Sequence, residues 1–260
     1  MTDHWTNAAL ILVAHGSHRH ATAAQLVRGH AAAIRAQKQF AEVKAAFWHG
    51  SPELSEVLAT VKQDTVFVVP VFKSDGHFTR VVIPREMGLS GGTTSRPDAN
   101  GPSTVHLCQP VGSHPGIPKL VKGLAADACA NLGISARDAS VLIIGHGGRA
   151  SSGSELATER VAVALAESES FGSAQAIYLE QEPLLDDWEQ TVSLANVVAV
   201  PFLIGGGGHE NEMFARMGKN GDGHLVITRP VGELSNISRM IVDQVAAHPA
   251  SRISTDSDDN

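Results

Sequence analysis

The amino-acid sequence predicts an α/β protein of two similar domains, each a small parallel sheet flanked by helices. Short apolar runs alternate along the chain with segments of helix-forming composition, which is the order of a parallel sheet with crossover helices. A strand that ends in His-Gly occurs twice, at residues 12–16 and 143–147, and a strand with a central proline occurs around Pro70 and Pro201. Both pairs are 131 residues apart. This constant spacing indicates a tandem duplication.

The first repeat is predicted to hold four strands and four helices. The strands are expected at 9–14, 43–48, 65–72 and 105–109, and the helices at 21–37, 52–61, 84–87 and 115–131. The run 65–72 is apolar throughout, as in a parallel strand that is buried on both faces. Residues 90–103 are rich in turn formers and predict a mobile surface loop. Gly133 is a candidate C-cap, which places the domain boundary there.

The second repeat follows the same order without a counterpart of the predicted loop. Its strands are expected at 140–145, 174–179, 196–203 and 224–228, and its helices at 154–167, 183–193 and 233–247. The end of the chain is acidic and poor in large apolar side chains, which is typical of disorder. The predicted domains are therefore 1–133 and 134–248, followed by a disordered acidic tail at 249–260.

Composition and charge exclude several classes of function. The chain has 260 residues, 43% of them hydrophobic, but no apolar run approaches the roughly 20 residues of a membrane-spanning helix, so no membrane role is expected. With 20 basic and 27 acidic residues, the formal net charge of −7 argues against binding to nucleic acid. The N-terminus lacks the pattern of a secretory signal, so we expect a cytoplasmic protein. Cys108 and Cys129 form no Cys-x-x-Cys motif, so any metal ligands must be histidines and carboxylates.

Four histidines follow predicted strands at matching places in the two repeats. His15 and His77 lie in the first repeat, and His146 and His209 lie in the second. In a doubly wound sheet, functional groups collect beyond the carboxyl ends of the strands, so each pair is expected to face one cleft. A strand-end histidine can also be a polar cap that water satisfies, and this alternative stays open for each residue. Four histidines in register favour a functional pair in each repeat.

The end of the second strand supplies a third candidate in each repeat. His49 and Glu180 occupy the same place, again 131 residues apart. Two imidazoles with a third nitrogen or carboxylate suit divalent iron, cobalt, nickel or zinc and leave positions for exchange. Glu180 could serve as a base, as a ligand or as a solvated strand-end carboxylate. Each repeat therefore presents a candidate triad: His15, His49 and His77 in the first, and His146, Glu180 and His209 in the second.

The His-Gly after the first strand, the Val-Val-Pro strand that leads to Gly-His, and the Glu-x-x-Pro after the second strand resemble the class II chelatases. This family includes sirohydrochlorin cobaltochelatase and ferrochelatase, and the resemblance covers nearly the whole chain. It implies insertion of a divalent metal into a tetrapyrrole, with two histidines and a glutamate that hold the metal and accept pyrrole protons. The matching catalytic and metal-binding residues are His146, His209 and Glu180 in the second repeat, and His15 and His77 in the first, where His49 departs from the glutamate.

The resemblance also implies a substrate with many carboxylates, which an acidic protein must bind through local positive charge. Relatives often carry an aspartate shortly after the second histidine, where this chain has Phe-Thr-Arg-Val-Val at 78–82. The candidate substrate-binding arginines are Arg19 and Arg80 in the first repeat and Arg149 and Arg216 in the second, with Lys73 and Arg85 as further cations in the first.

The resemblance predicts a metal chelatase that inserts cobalt or iron into sirohydrochlorin or a related tetrapyrrole, in siroheme or cobalamin synthesis, with histidines in the cleft between the domains. The divalent metal, cobalt, iron or nickel, is a substrate, and no organic cofactor is expected. The alternative is a non-catalytic carrier of metal or tetrapyrrole. A duplicated chain resembles a fused dimer, so a monomer or a homodimer is expected. Residues 205–208 lack the Gly-Lys-Ser/Thr of a phosphate loop, and the sequence has no Gly-x-Ser-x-Gly of a hydrolase.

Overall fold

The chain folds into two compact units. Unit 1 comprises Met1–His114 and Ser235–Asn260, and unit 2 comprises Pro115–Leu234. No helix within the described ranges is long and apolar enough to cross a membrane. The computed structural model describes residues 5–17, 21–98, 101–148, 152–205, 210–218 and 224–252.

Strands and helices alternate through both repeats. The strands in the described part of the chain are β1 (Trp5–Gly16), β2 (Phe40–His49), β3 (Thr65–Pro70), β4 (Thr93–Asp98), β5 (Gly101–Leu107), β6 (Ala139–Gly145), β7 (Ser173–Tyr178), β8 (Asn196–Pro201) and β9 (His224–Ile227). The helices are α1 (Ala21–Ala36), α2 (Leu54–Val57), α3 (Ile83–Met87), α4 (Ile117–Leu132), α5 (Ser152–Glu167), α6 (Trp188–Thr191), α7 (Glu210–Met217) and α8 (Asn236–Ala247). A π-helical turn, Phe78–Val82, precedes α3.

The sheet of unit 1 has the strand order β2-β1-β3-β5-β4. β1 pairs in parallel with β2 and with β3, and β3 pairs in parallel with β5. Residues 10–13 of β1 and 68–69 of β3 have essentially no exposed surface, as expected for apolar strands covered on both faces. Because parallel strands end at the same edge of a sheet, the residues that follow β1, β2 and β3 come together there.

Residues 90–103 do not form the mobile loop that the sequence predicted. Instead β4 pairs antiparallel with β5, and Thr94, which lies opposite Val105, is buried. Threonine favours a strand, and Pro97 is tolerated because β4 is an edge strand whose outer N–H groups need no partner. Residues 99–100, between the two strands, lie outside the described part of the chain.

The sheet of unit 2 has the order β7-β6-β8-β9, and all of its strand pairs are parallel. β6 covers the predicted strand 140–145 and is buried along its whole length, as expected for a central parallel strand. The sequence analysis missed α7, because this helix is only two turns long and mostly polar. Its signal was the pair Met213 and Met217, spaced at i and i+4 and both buried.

Each compact unit contains the last helix of the other sequence repeat. α4 packs on α5 and β8 within unit 2, whereas α8 packs on α1 and β3 within unit 1. The contact of α8 includes a hydrogen bond of 2.9 Å between Ser238 and His30 of α1. Gly133 does end α4, with a φ of 69°, but the predicted boundary at this residue separates the repeats and not the compact units. An amphipathic stripe on a helix does not specify which of two similar sheets it covers.

The end of the chain is ordered further than predicted. Pro249–Arg252 form a 3-10 helix, although the acidic tail was expected to be disordered from residue 249. Ser251 is buried there, and its hydroxyl donates a hydrogen bond to the carbonyl of Val245 in α8. Residues 253–260 lie outside the described residues, so the rest of the predicted tail stays a prediction.

Candidate functional site

Two of the three histidines predicted for the first repeat lie side by side in unit 1. His15 is next to the last residue of β1, and His49 ends β2, with Gly16 opposite His49 in the parallel ladder. The centroids of the two imidazole rings are 5.2 Å apart. The carboxyl ends of two neighbouring strands thus bring these two side chains together.

Gly16 allows the ends of β1 and β2 to approach this closely. Its φ is +69°, a backbone conformation that favours glycine. A Cβ atom at this position would lie 2.2 Å from the carbonyl oxygen of His49. A larger residue would therefore force the two strand ends apart and would separate His15 from His49.

His77 does not join the pair formed by His15 and His49. It lies just before the π-helical turn, and its side chain is exposed. The centroid of the Phe78 ring is 4.9 Å from that of His15 and 6.4 Å from that of His77. Within the described ranges, no three His, Cys, Asp or Glu side chains form a group that could hold a metal ion. The structure therefore does not assemble the predicted triad of the first repeat.

In unit 2, His146 lies beside Glu180. His146 directly follows β6, and the backbone N–H of Glu180, just beyond β7, donates to the His146 carbonyl at 3.1 Å. The distance from His146 Nδ1 to Glu180 Oε2 is 3.8 Å. The side chains are 33% and 60% exposed, so solvent and small molecules reach both groups. His209, the third predicted member, lies outside the described residues.

Both repeats fix which nitrogen of the strand-end histidine carries the proton. Nδ1 of His15 lies 3.0 Å from the carbonyl oxygen of Gly16, and Nδ1 of His146 lies 3.2 Å from that of Gly147. Because a carbonyl oxygen only accepts hydrogen bonds, Nδ1 must donate in both cases. The neutral ring then carries its lone pair on Nε2, the nitrogen that binds a metal or takes up a proton.

The second strands of the two repeats end in the same turn. The peptide bonds before Pro52 and Pro183 are both cis. In each repeat, the N–H group five residues before the proline donates to the proline carbonyl at 2.9 Å. This common geometry supports the alignment of His49 with Glu180.

Gln181 is a residue of the site that the sequence analysis missed. Its Oε1 accepts a hydrogen bond of 3.0 Å from the N–H of Gly148. A Cβ atom on Gly147, whose φ is +74°, would lie 2.8 Å from Cγ of Gln181. Gln181 therefore holds the loop that directly follows His146. The sequence signal that could have identified Gln181 is a difference between the repeats. The first repeat has Gly50 at the matching position.

The duplication coincides with two matches to one family. The CbiX family model matches residues 9–128 and 140–248, one match for each repeat. The chain belongs to the CbiX family. The predicted resemblance to the class II chelatases and the predicted fold of two α/β repeats are confirmed.

Other proteins similar to this CbiX family member include chelatases. A probable sirohydrochlorin cobaltochelatase from Halobacterium salinarum is 33% identical over 218 residues, which are 78% of this chain and 74% of that protein. A multi-domain protein from Deinococcus radiodurans with structural similarity to chelatases is 28% identical, with a TM-score of 0.72 over 93% of this chain, which spans 55% of that protein. SirB from Bacillus subtilis, solved with Fe3+, shares the fold with a TM-score of 0.75 and 17% identity, over 95% of this chain and 98% of SirB.

In this CbiX family member, the predicted substrate-binding residue Arg80 is already paired. Its Nε and Nη2 donate to Asp75 at 3.0 and 2.8 Å, and these bonds hold the pKa of the Asp75 carboxyl below its usual value. The pair lines a cavity of about 420 Å³ in unit 1. Burial lowers the pKa of Lys73, a further candidate cation, to about 8, so Lys73 stays mostly protonated at pH 7. Arg19 and Arg149 lie outside the described residues.

Arg216, the fourth predicted substrate-binding arginine, links α7 to the end of β7. It donates to both carboxylate oxygens of Asp186, at 2.8 and 2.7 Å, and to the carbonyl of Leu179 at 3.4 and 3.5 Å. Hydrogen bonding to Arg216 lowers the pKa of the Asp186 carboxyl. Leu179 directly precedes Glu180, so in this CbiX family member Arg216 joins α7 to the residue next to Glu180.

Proposed function

We propose that this chain inserts a divalent metal, cobalt or iron, into sirohydrochlorin or a related tetrapyrrole. The observation that carries the proposal is the pair of His146 and Glu180 at the carboxyl edge of the sheet of unit 2, in a member of the CbiX family. The name of the relative from Halobacterium salinarum supports sirohydrochlorin and cobalt, and the SirB structure with Fe3+ supports iron.

Metal insertion requires bases next to the metal. Two pyrrole N–H protons must leave while the metal ion passes from protein ligands to the ring nitrogens. His146 suits this step because its Nε2 carries the lone pair, and Nδ1 is held by the Gly147 carbonyl. Nε2 takes up one of the two protons, and the carboxylate of Glu180, 3.8 Å from Nδ1, stabilises the imidazolium. The second proton passes to the solvent that reaches this exposed pair.

The proposed roles of the two repeats differ. In unit 1, the pair of His15 and His49 has no carboxylate at the place of Glu180, so it suits metal binding better than proton uptake. We therefore assign the working site to His146 and Glu180, with His209 as the third member. The same imidazoles would accept nickel. The placing of the histidines in a cleft between the domains stays a prediction.

The proposal is tested by mixing the purified chain with sirohydrochlorin and cobalt(II) or iron(II) and following the absorbance of the pigment. We expect metal insertion to be faster than the spontaneous reaction. A rate equal to the spontaneous one with cobalt, iron and nickel would contradict the proposal. Retention of pigment or metal in a stoichiometric complex, without release of a metallated product, would instead identify a carrier.

Arg216 and Asp186 allow a matched test of positioning. We expect the Arg216→Gln and Asp186→Asn variants each to lower kcat of insertion about tenfold. Arg216→Gln removes the donor to the carbonyl of Leu179, and Asp186→Asn removes the charge that orients the Arg216 guanidinium towards it. Initial rates over a range of sirohydrochlorin concentrations give kcat and KM for both variants.

A difference in KM between these two variants would contradict the positioning role of Arg216. If Arg216 bound a substrate carboxylate directly, Asp186→Asn would release the guanidinium and would keep or lower KM. Arg216→Gln alone would then raise KM. That outcome would restore the predicted substrate-binding role of Arg216 and exclude its positioning role.

A further inference from the structure

His15 belongs to a group of five aromatic and imidazole rings in unit 1. We call the side chains of His15, Trp48, His49, Phe72 and Phe78 the ring cluster. The centroid of the Trp48 ring lies 3.8 Å from that of His49, 5.0 Å from that of Phe78 and 5.1 Å from that of His15. The Phe72 and Phe78 rings stack at 5.5 Å. The cluster is continuous, because each ring touches at least one other member.

The ring cluster is partly open to solvent and partly anchored in the core. Trp48, Phe72 and Phe78 are each half-buried. Trp48 and Phe72 also pack against the apolar core of unit 1, which includes Leu54 and Ile83, so their rings are held in place. By contrast, the other two tryptophans of the chain are only 7% and 4% exposed. Trp48 therefore presents a fixed aromatic surface beside His15 and His49.

The second repeat shows that the fold does not require these rings. By the spacing of the repeats, the counterparts of Trp48 and Phe72 are Leu179 and Leu203, which belong to the apolar core of unit 2. The strand order β2-β1-β3 of unit 1 is nevertheless the same as β7-β6-β8 of unit 2. At these two positions the fold therefore accepts leucine, so packing alone does not require a ring at Trp48 or Phe72.

Arg80 and Arg216, the two predicted substrate-binding arginines that the structure describes, do not by themselves account for the binding of a flat tetrapyrrole with many carboxylates. The chain carries a formal net charge of −7. The guanidinium groups of Arg80 and Arg216 are already paired with Asp75 and Asp186, at 2.8 and 2.7 Å. Aromatic side chains bind conjugated rings through stacking and edge contacts that do not depend on charge. The ring cluster supplies such contacts next to His15.

We propose that the ring cluster of unit 1 binds the conjugated face of the tetrapyrrole, with Trp48 as the main contact and Phe78 as the second. This inference rests on the proposed function, because it concerns the substrate of that reaction. It assigns contact with the conjugated rings of the pigment to the ring cluster of unit 1.

The test is equilibrium binding of metal-free sirohydrochlorin, followed by the absorbance of the pigment. We expect Trp48→Leu and Phe78→Leu each to raise Kd about tenfold, and Trp48→Phe, which keeps a ring, to raise it less than about threefold. Trp188→Phe is the matched control, because Trp188 lies in the core of unit 2. The Kd of this variant for sirohydrochlorin should equal that of the wild type. Melting temperatures of all variants report any loss of packing.

Two results would overturn this inference. Wild-type Kd values in both Trp48→Leu and Phe78→Leu would show that the rings do not contact the pigment. Equal losses in Trp48→Leu and Trp48→Phe would show that Trp48 acts through packing alone. Where Trp48→Leu lowers the melting temperature, Phe78→Leu decides the question.

Failure of the inference is distinguishable from failure of the proposed function. If the wild-type chain neither binds sirohydrochlorin nor accelerates insertion, the proposed function is wrong. If the wild type accelerates insertion and both leucine variants bind pigment normally, only the role of the ring cluster is wrong.

Discussion

The His146→Ala variant is expected to insert cobalt into sirohydrochlorin about a hundredfold more slowly than the wild-type chain, because it lacks the imidazole that takes up a pyrrole proton. Glu180→Gln should lower the rate about tenfold, since it keeps the size of the side chain but removes the charge 3.8 Å from Nδ1. Initial rates from the absorbance of the pigment, with the spontaneous rate subtracted, give both values.

The control for the His146 and Glu180 variants is Glu182→Gln, which removes an exposed carboxylate two residues beyond Glu180. This variant should keep the wild-type rate. The His15→Ala variant shows which repeat works. A full rate in His146→Ala together with a lost rate in His15→Ala would move the working site to unit 1. Full rates in both variants would contradict both assignments.

The Gly112→Ala and Gly232→Ala variants are expected to destabilise the protein by about 3 kcal/mol each, because the new methyl group has no space. A Cβ atom on Gly112 would lie 2.1 Å from the carbonyl oxygen of Lys73, and one on Gly232 would lie 2.2 Å from that of Ile204. Both glycines also donate backbone hydrogen bonds to the loop after the third strand of their repeat, at 2.9 and 2.7 Å. These atoms belong to the main chain and cannot turn aside.

Thermal unfolding checks the prediction for Gly112 and Gly232, with Gly123→Ala as the matched control. Nothing lies within 4 Å of a Cβ atom on Gly123, which is an exposed position of α4. Alanine there should stabilise the chain by about 0.5 to 1 kcal/mol, because it favours the helix. If all three variants shift the melting temperature alike, close packing at Gly112 and Gly232 is not the cause.

Most of the strands were predictable because each is a short apolar run between turn formers. β3 and β8 begin where the sequence predicts them, but each ends at its proline, at residues 70 and 201 instead of the predicted 72 and 203. α7 and β4 were not predicted, for a common reason. Each has a short and mostly polar sequence, so its local apolar periodicity is weak, although β4 pairs with β5 only two residues further along the chain.

The candidate site was predictable in part. The ends of adjacent parallel strands bring His15 to His49 and His146 to Glu180, as the strand-end rule implies. His77 follows β3 after a longer loop, and the π-helical turn places it away from the other two histidines. The number of residues between the strand and His77 does not predict the conformation of this loop.

The carboxylate partners of the arginines were also not predictable. Arg216 and Asp186 are 30 residues apart, and only the packing of α7 makes them neighbours. An unpaired surface arginine and a paired one look alike in a sequence, so Arg80 and Arg216 were expected to meet substrate carboxylates.

The sequence by itself determined the duplication, the order of strands and helices along most of each repeat, and the presence of imidazole or carboxylate at the strand ends. These properties depend on residues close together in the chain, through hydrophobic periodicity and motif spacing. Only the tertiary structure decided that α4 and α8 each cover the sheet of the other repeat, and that Trp48 and Phe78 gather around His15. Such contacts join residues that are distant in the chain, and packing in three dimensions selects among partners that the sequence makes equally suitable.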